Sequence, residues 1–362
     1  MKGVECNEKK TGPRTRVVYH RSSTILQKEI GVALIMVLWV ITILSVVVLE
    51  FSYAMRTEVN ISRNYQEELQ LYAMSEGGIQ RAITELVYKQ DQRVHQLRNT
   101  PEFEKMPADK REWMTDGRDY SLAFDGGECV VRVMGEAGKV NINLVSDRTL
   151  RKIVTNLGWE GEGRDIVVDS ILDWREPGDF HRLNGAKNDY YQSLKDPYNC
   201  KNGNFDSVEE LLLVRGVTPE LFYGRKENKK GEEGGKVESV GLKDLFSIYA
   251  AGEQIDINSA TPPVLRVVLG IPYEVSRLIV KARGEKGFEN QGDLLQRVPE
   301  LIPFFGEISG LILFQVLSPY YSIESKAKVK EGESIRGLKV IIKVDPNEKE
   351  AHKIIQWVDF FI

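Results

Sequence analysis

The sequence predicts an α+β fold: a long N-terminal helix packed on an antiparallel sheet, with a large α-helical domain inserted into that sheet. Three observations predict it. An uncharged apolar run at 30–49 leads into a helical stripe, and β-rich runs stand at 120–143 and again at 318–362. About 180 residues with helical periodicity separate the two β regions. A chain of 362 residues suits two modest domains or one domain with a large insertion. Hydrophobic residues make up 42%, charged residues 28%, and the net charge is −4, so no basic surplus points to nucleic acid.

The first element follows from charge and hydropathy. Residues 1–31 carry Lys2, Lys9, Lys10, Arg14, Arg16, Arg21 and Lys28 against Glu5, Glu8 and Glu29. From Ile30 to Leu49 twenty residues lack charge, which makes roughly 30 Å of helix, the thickness of a hydrocarbon core. The positive-inside bias keeps 1–29 cytoplasmic and sends everything after Glu50 across the membrane. Ser45 to Glu50 offers no Ala-x-Ala pattern, which argues against a cleaved secretory peptide and leaves a plain signal anchor as the simple alternative. Beyond the membrane Leu69, Tyr72, Ile79, Ile83 and Leu86 fall on one helical face, the side that packs on a sheet. Gly77-Gly78 mark a place for a kink.

Residues 51–135 thus hold the rest of the helix and the first strands. A hairpin is expected around Asp125-Gly126-Gly127. The remaining strands lie in 318–362, as "YYSIESKAKV", "GLKVIIKVD" and "HKIIQWVDFF". Between them, 136–317 reads as an inserted α-helical domain of two related units, 139–217 and 254–300. "KVNINLVSDRTLRKIVTNLG" lines up with "QIDINSATPPVLRVVLG", and "FDSVEELLLVRGV" with "FENQGDLLQRVPEL". The second unit resembles a helix-hairpin-helix module, but its hairpin Leu269-Gly270-Ile271-Pro272 loses an N–H donor to proline. A helical scaffold is preferred over a DNA-binding one, and "KENKKGEEGGKVE" reads as a solvated linker.

The first unit is longer, because 62 positions separate Asn143 from Phe205 whereas 30 separate Asn258 from Phe288. The extra stretch, "ILDWREPGDFHRLNGAKNDYYQ", gathers Asp173, Glu176, Asp179, Asn188 and Asp189 among Gly, Pro and Asn. Oxygen ligands in a turn-rich loop are what calcium requires, and solvated loop acids or helix caps are the plain alternative. Cys129 and Cys200 would both reach the oxidising side, where a disulfide or two separate thiols are equally open, while Cys6 stays in the leader. No Gly-x-Ser-x-Gly, P-loop or His-Glu-x-x-His occurs, and the four histidines are scattered, so no enzyme is expected.

The basic leader ending in Gly31, followed by "VALIMVLWVITILSVVVLE", resembles type IV prepilins and the pseudopilins of type II secretion. That resemblance implies a type IV pilin-like fold, cleavage between Gly31 and Val32 by prepilin peptidase, and N-methylation of Val32. Glycine suits the cut by giving an extended, accessible backbone. Most such chains have glutamate at the fifth mature position, and here Met36 stands there, which suits a subunit with no neighbour ahead of it. Met36 and the large insert resemble the K-type minor pseudopilins. Their acidic stretch, associated with calcium, matches Asp173, Trp174, Glu176, Asp179, Asn184, Gly185, Ala186 and Tyr191, with Asp173, Glu176 and Asp179 as the side-chain ligands implied. Gly178 and Lys187 depart from it, and Lys187 adds a positive charge beside the ion.

The resemblance implies a single-pass inner-membrane protein with its bulk in the periplasm. It would stand at the pseudopilus tip with I-type and J-type minor pseudopilins, in contact with secreted protein or the outer-membrane secretin. The alternatives are a minor pilin of a type IV pilus, or a membrane-anchored DNA-binding protein of an uptake system.

Overall fold

The computed structural model describes residues 24–89, 100, 113–225, 240–284, 286–314, 318–330, 334–345 and 350–361. The basic leader up to residue 23 and the charged stretch 226–238 lie outside them. The chain divides into two units, 1–66 and 67–362. A first helix, α1 (Thr24–Lys89), enters both.

In the first unit every described side chain from Val32 to Gln66 is exposed, and the most apolar 18-residue window reaches a mean hydropathy of 3.1. Apolar side chains pointing outward all round a helix are stable in lipid or against other helices, not in water. The expected extended backbone at Gly31 is not found, since α1 runs through it. One glycine costs a helix only about 1 kcal/mol, and good helix formers on both sides outweigh it.

In the second unit α1 packs on a five-stranded antiparallel sheet. Its strands are β1 (Asp116–Phe124), β2 (Gly127–Gly135), β7 (Tyr320–Val329), β8 (Ile335–Val344) and β9 (His352–Phe361), in the order β1-β2-β7-β8-β9. The hairpin turns at Asp125-Gly126 with Phe124 facing Gly127, and Gly126 has φ +110°, a conformation that only glycine adopts readily. Inward residues alternate as the pleat demands: Cys129, Val131 and Val133 on β2, Ile323 and Ala327 on β7, Leu338, Val340 and Ile342 on β8.

The helix face against them is Leu71, Met74, Ile79, Ala82, Ile83 and Leu86, with Ser75 buried in the same row. Leu69, expected there, is 49% exposed. The stripe was obscured because small residues hold its centre. A Cβ on Gly78 would lie 2.5 Å from Ser325 Oγ and 2.8 Å from Cys129 Sγ, so this glycine lets the helix backbone approach the strands. The expected kink is replaced by a close contact in an unbroken helix. Ser325 Oγ donates to Ser75 O at 2.8 Å across that contact.

The insert leaves the sheet after β2 and returns at β7, strands that are hydrogen-bonded neighbours. Its elements are β3 (Val140–Asn141), α2 (Asp147–Asn156), α3 (Gly161–Arg175), α4 (Asn188–Gln192), α5 (Pro219–Tyr223), α6 (Leu242–Leu245) and β4 (Phe246–Ser247). They are followed by β5 (Ile255–Asp256), α7 (Pro262–Leu269), α8 (Tyr273–Arg283), α9 (Gln291–Arg297), α10 (Ile302–Ile308) and β6 (Ile312–Leu313). Two short parallel pairs, β3 with β4 and β5 with β6, open and close its own hydrophobic core.

The two units of the insert share more than sequence. In each, an Asn side chain grips a Phe backbone from both sides: Asn143 with Phe205 at 3.0 and 2.8 Å, Asn258 with Phe288 at 2.9 and 2.7 Å. In each, an Arg ending the second helix bonds two carbonyls of the turn after the short strand. Arg175 takes Ile142 O and Val145 O, and Arg283 takes Ile257 O and Ala260 O. Glycines with positive φ, Gly158 and Gly270, stand between the two helices.

Candidate functional site

Two places were singled out by the sequence. The first is the head of the apolar helix. Gly31 and Val32 lie in consecutive positions of α1, and Met36 is 59% exposed one turn further on. No carboxylate stands among the described side chains from Val32 to Leu49, so the apolar surface is uninterrupted there.

The second is the loop from α3 to α4. Asp173 is 1% exposed, Glu176 is half-buried, and Asp179 points to solvent, so the three expected ligands do not converge. Arg182, between them in space, holds two of the three. Its Nη1 donates to Asp173 Oδ1 at 2.7 Å, its backbone N to Oδ2 at 2.9 Å, and its Nη2 to both Glu176 oxygens at 2.8 Å. Burial alone would lower the Arg182 pKa, but the bonds to Glu176 and Asp173 outweigh it and raise it.

Lys187 completes the loop. Its side chain is buried, and its ammonium donates to Asp173 O and Glu176 O at 2.6 Å and to Asn202 Oδ1 at 2.8 Å. Three N–H groups thus meet three acceptors. Asn202 holds φ +51°, a left-handed turn that aims its side chain inward. Gly185 must be glycine, because a Cβ there would fall on Asp173 Oδ2. Gly178 has φ +119°, a backbone that an aspartate would strain.

Around the loop Trp174, Tyr191, Tyr198 and Phe205 pack as an aromatic cluster, with Trp174 5.2 Å from Tyr191 edge to face. Burial pushes the Tyr191 hydroxyl well above the usual phenol range. Asn188 Oδ1 accepts from Cys200 N at 2.8 Å, and Asp189 lies exposed 3.8 Å from His181.

Calcium takes six to eight oxygens in one shell. Here both Asp173 carboxylate oxygens and its carbonyl are already accepting, and an ammonium sits on the carbonyls. Among the described residues no three His, Cys, Asp or Glu side chains gather as a metal site. The residues present do not fit the ion. Reasoning on sequence weighed the acids and missed Arg182 as their partner and Asn202 as an acceptor for Lys187. The signal was the near balance of Arg175, Arg182 and Lys187 against Asp173, Glu176, Asp179 and Asp189.

The two candidate half-cystines stand apart. Cys129 lies in the helix-sheet core with Sγ 2.9 Å from Ser325 Oγ, and Cys200 lies in the core of the insert. Both are free, so the disulfide considered from the sequence is not formed. Burial raises both thiol pKa values.

Comparison with known proteins bears on both places. A family model described as type II secretion system (T2SS), protein K, matches residues 134–224, which begin at the end of β2 and include the loop. The chain is 26% identical over 303 residues to the type II secretion system protein K of Pseudomonas aeruginosa, covering 80% of this chain and 83% of that protein. In fold it is similar to a chain of the crystal structure of the GspK-GspI-GspJ complex from the enterotoxigenic Escherichia coli type 2 secretion system. The TM-score is 0.53 at 16% identity, over 83% of this chain and 99% of that one.

Proposed function

We propose that this chain, similar in sequence to the type II secretion system protein K of Pseudomonas aeruginosa, is the minor pseudopilin that stands at the tip of the pseudopilus and starts or caps its assembly. The observation that carries this reading is the insertion between the neighbouring strands β2 and β7, in a sheet backed by a helix that begins as an apolar anchor. The bulk of the insert suits an end position, since it would obstruct a subunit stacked among others. Met36 suits the same position, because a filament-core glutamate without a partner ammonium would be costly in apolar surroundings.

The inner-membrane anchor is the apolar part of α1, the basic leader stays cytoplasmic, and the bulk of the chain, beyond Glu50, lies in the periplasm. Prepilin peptidase cuts after Gly31 and Val32 becomes the methylated N-terminus. The complex whose fold is matched contains GspI and GspJ; by analogy this chain joins I-type and J-type minor pseudopilins. Its role is assembly and not catalysis, and contact with secreted protein or the secretin follows from the tip position.

The test is co-expression of the full chain with I-type and J-type pseudopilins, with and without prepilin peptidase, followed by purification in detergent and intact mass. A three-part complex containing a chain that starts at Val32 only when the peptidase is present supports the reading. A chain that keeps Met1 and purifies without both partners overturns it.

A further inference from the structure

We propose that the acidic loop of this chain is ordered by its own cations, with the Lys187 ammonium standing where an ion would, so that the loop folds without calcium. A buried ammonium is costly unless each of its three donors is met, and each is met, by Asp173 O, Glu176 O and Asn202 Oδ1. Two of these acceptors are carbonyls at the C-terminal end of α3, and the third comes from the chain beyond α4. One side chain, carried by the loop between them, therefore ties the end of α3 to a segment with which it shares no strand or helix, which is the work a bound cation does in a loop.

The carboxylates are consumed in the same way. Arg182 pairs with Asp173 and Glu176, so the loop holds the buried Asp173 and Lys187 and the half-buried Glu176 and Arg182 as two negative and two positive charges without any ion. A divalent ion entering there would meet the ammonium and the guanidinium at short range and would have to displace both. The exposed Asp179 offers a single carboxylate and no cage. Gly185 makes the arrangement specific, because Asp173 fills the space its Cβ would need.

Hydrogen exchange on the full chain in detergent tests this, read on peptides spanning 173–191 in millimolar calcium and in chelator. Exchange is expected to be the same in both. Lys187→Met is expected to speed it by about tenfold while peptides from β2, β7 and β8 stay protected. Should Lys187→Met fail to fold, Asn202→Gly keeps the left-handed turn and removes one acceptor, with about a threefold rise expected. Loop exchange that slows in calcium overturns the proposal, as does a loop left unchanged by Lys187→Met, or by Asn202→Gly where that variant replaces it.

Discussion

At the scale of single residues, space and hydrogen bonding decide more than charge does. Gly185 is the sharpest case, since any side chain there collides with a carboxylate that Arg182 holds in place. Gly185→Ala should cost about 2–4 kcal/mol, from overpacking and a broken buried ion pair, read as a lower melting midpoint of the detergent-solubilised chain. A midpoint within a degree of the parent would show that the loop gives way freely. The thiols make a second prediction. Cys129 and Cys200 are buried, with pKa values raised by that burial, so alkylation of the folded chain at neutral pH should be slow at both. Unfolded without reductant, both should take up reagent, and a mass lacking those two additions would mean a disulfide after all. The acids of the loop were legible in the sequence and their partners were not. Spacing along a chain names candidate ligands, but only the fold decides whether Asp173 meets an ion or Arg182, nine residues on.

At the scale of elements, periodicity read well where side chains were large and failed where they were small. The strands at 320–329 and 352–361 coincide with the runs read from alternation, and the hairpin turns where Asp125-Gly126 said it would. Ile79, Ile83 and Leu86 line the face of α1 as read and Tyr72 packs beside it, while Leu69 falls outside and Ser75 and Gly78, which carry no hydrophobic signal, sit at its centre. Gly78→Val should therefore lower stability by about 2 kcal/mol or more, although valine is the more apolar residue. Chemical denaturation followed by the fluorescence of Trp113, which lies in the same core, measures it; an unchanged midpoint would refute the close-contact account. The repeat was legible from the matching Ile-Asn and Leu-Gly segments, and what the two units share in structure is the clamp of Asn on Phe. Asn143→Ala and Asn258→Ala each remove two hydrogen bonds to a Phe backbone, and each should cost about 2–3 kcal/mol. A loss well below 1 kcal/mol at either would mean that water replaces the side chain without penalty.

At the scale of the molecule beyond residue 66, what joins insert to sheet is a set of buried charges. Arg283, fully buried on α8, has its Nε 3.4 Å from Asp116 Oδ2 on β1, where Arg118 also bonds. Glu136, just past β2, is held by Lys139 at 2.8 Å and by Ser322 on β7. No sequence pattern announced these pairs, because Asp116 and Arg283 are separated by most of the insert and meet only once both units have folded. Burial alone would raise the pKa of Asp116. The bonds from Arg118 and the charges of Arg283 and Arg118 outweigh it, and the carboxyl titrates below its ordinary 3.8. For Glu136 burial is likewise outweighed, by Lys139 first, and it titrates below 4.5. A carboxyl lowered on folding stabilises fully above its unfolded value, and that contribution is lost as pH falls through the folded one. Asp116→Asn takes from the buried Arg283 its ion-pair partner and leaves only the charge of Asp256 acting on it, and should cost about 3–5 kcal/mol at pH 7. As the pH falls below the ordinary 3.8 the unfolded parent takes up the proton first, so the gap between parent and variant should narrow, and it closes as the pH passes the lower folded value. Denaturation midpoints of both chains between pH 7 and pH 3 measure this. A gap that stays constant across that range would mean that the Asp116 charge does not join the insert to the sheet, and that packing alone holds them.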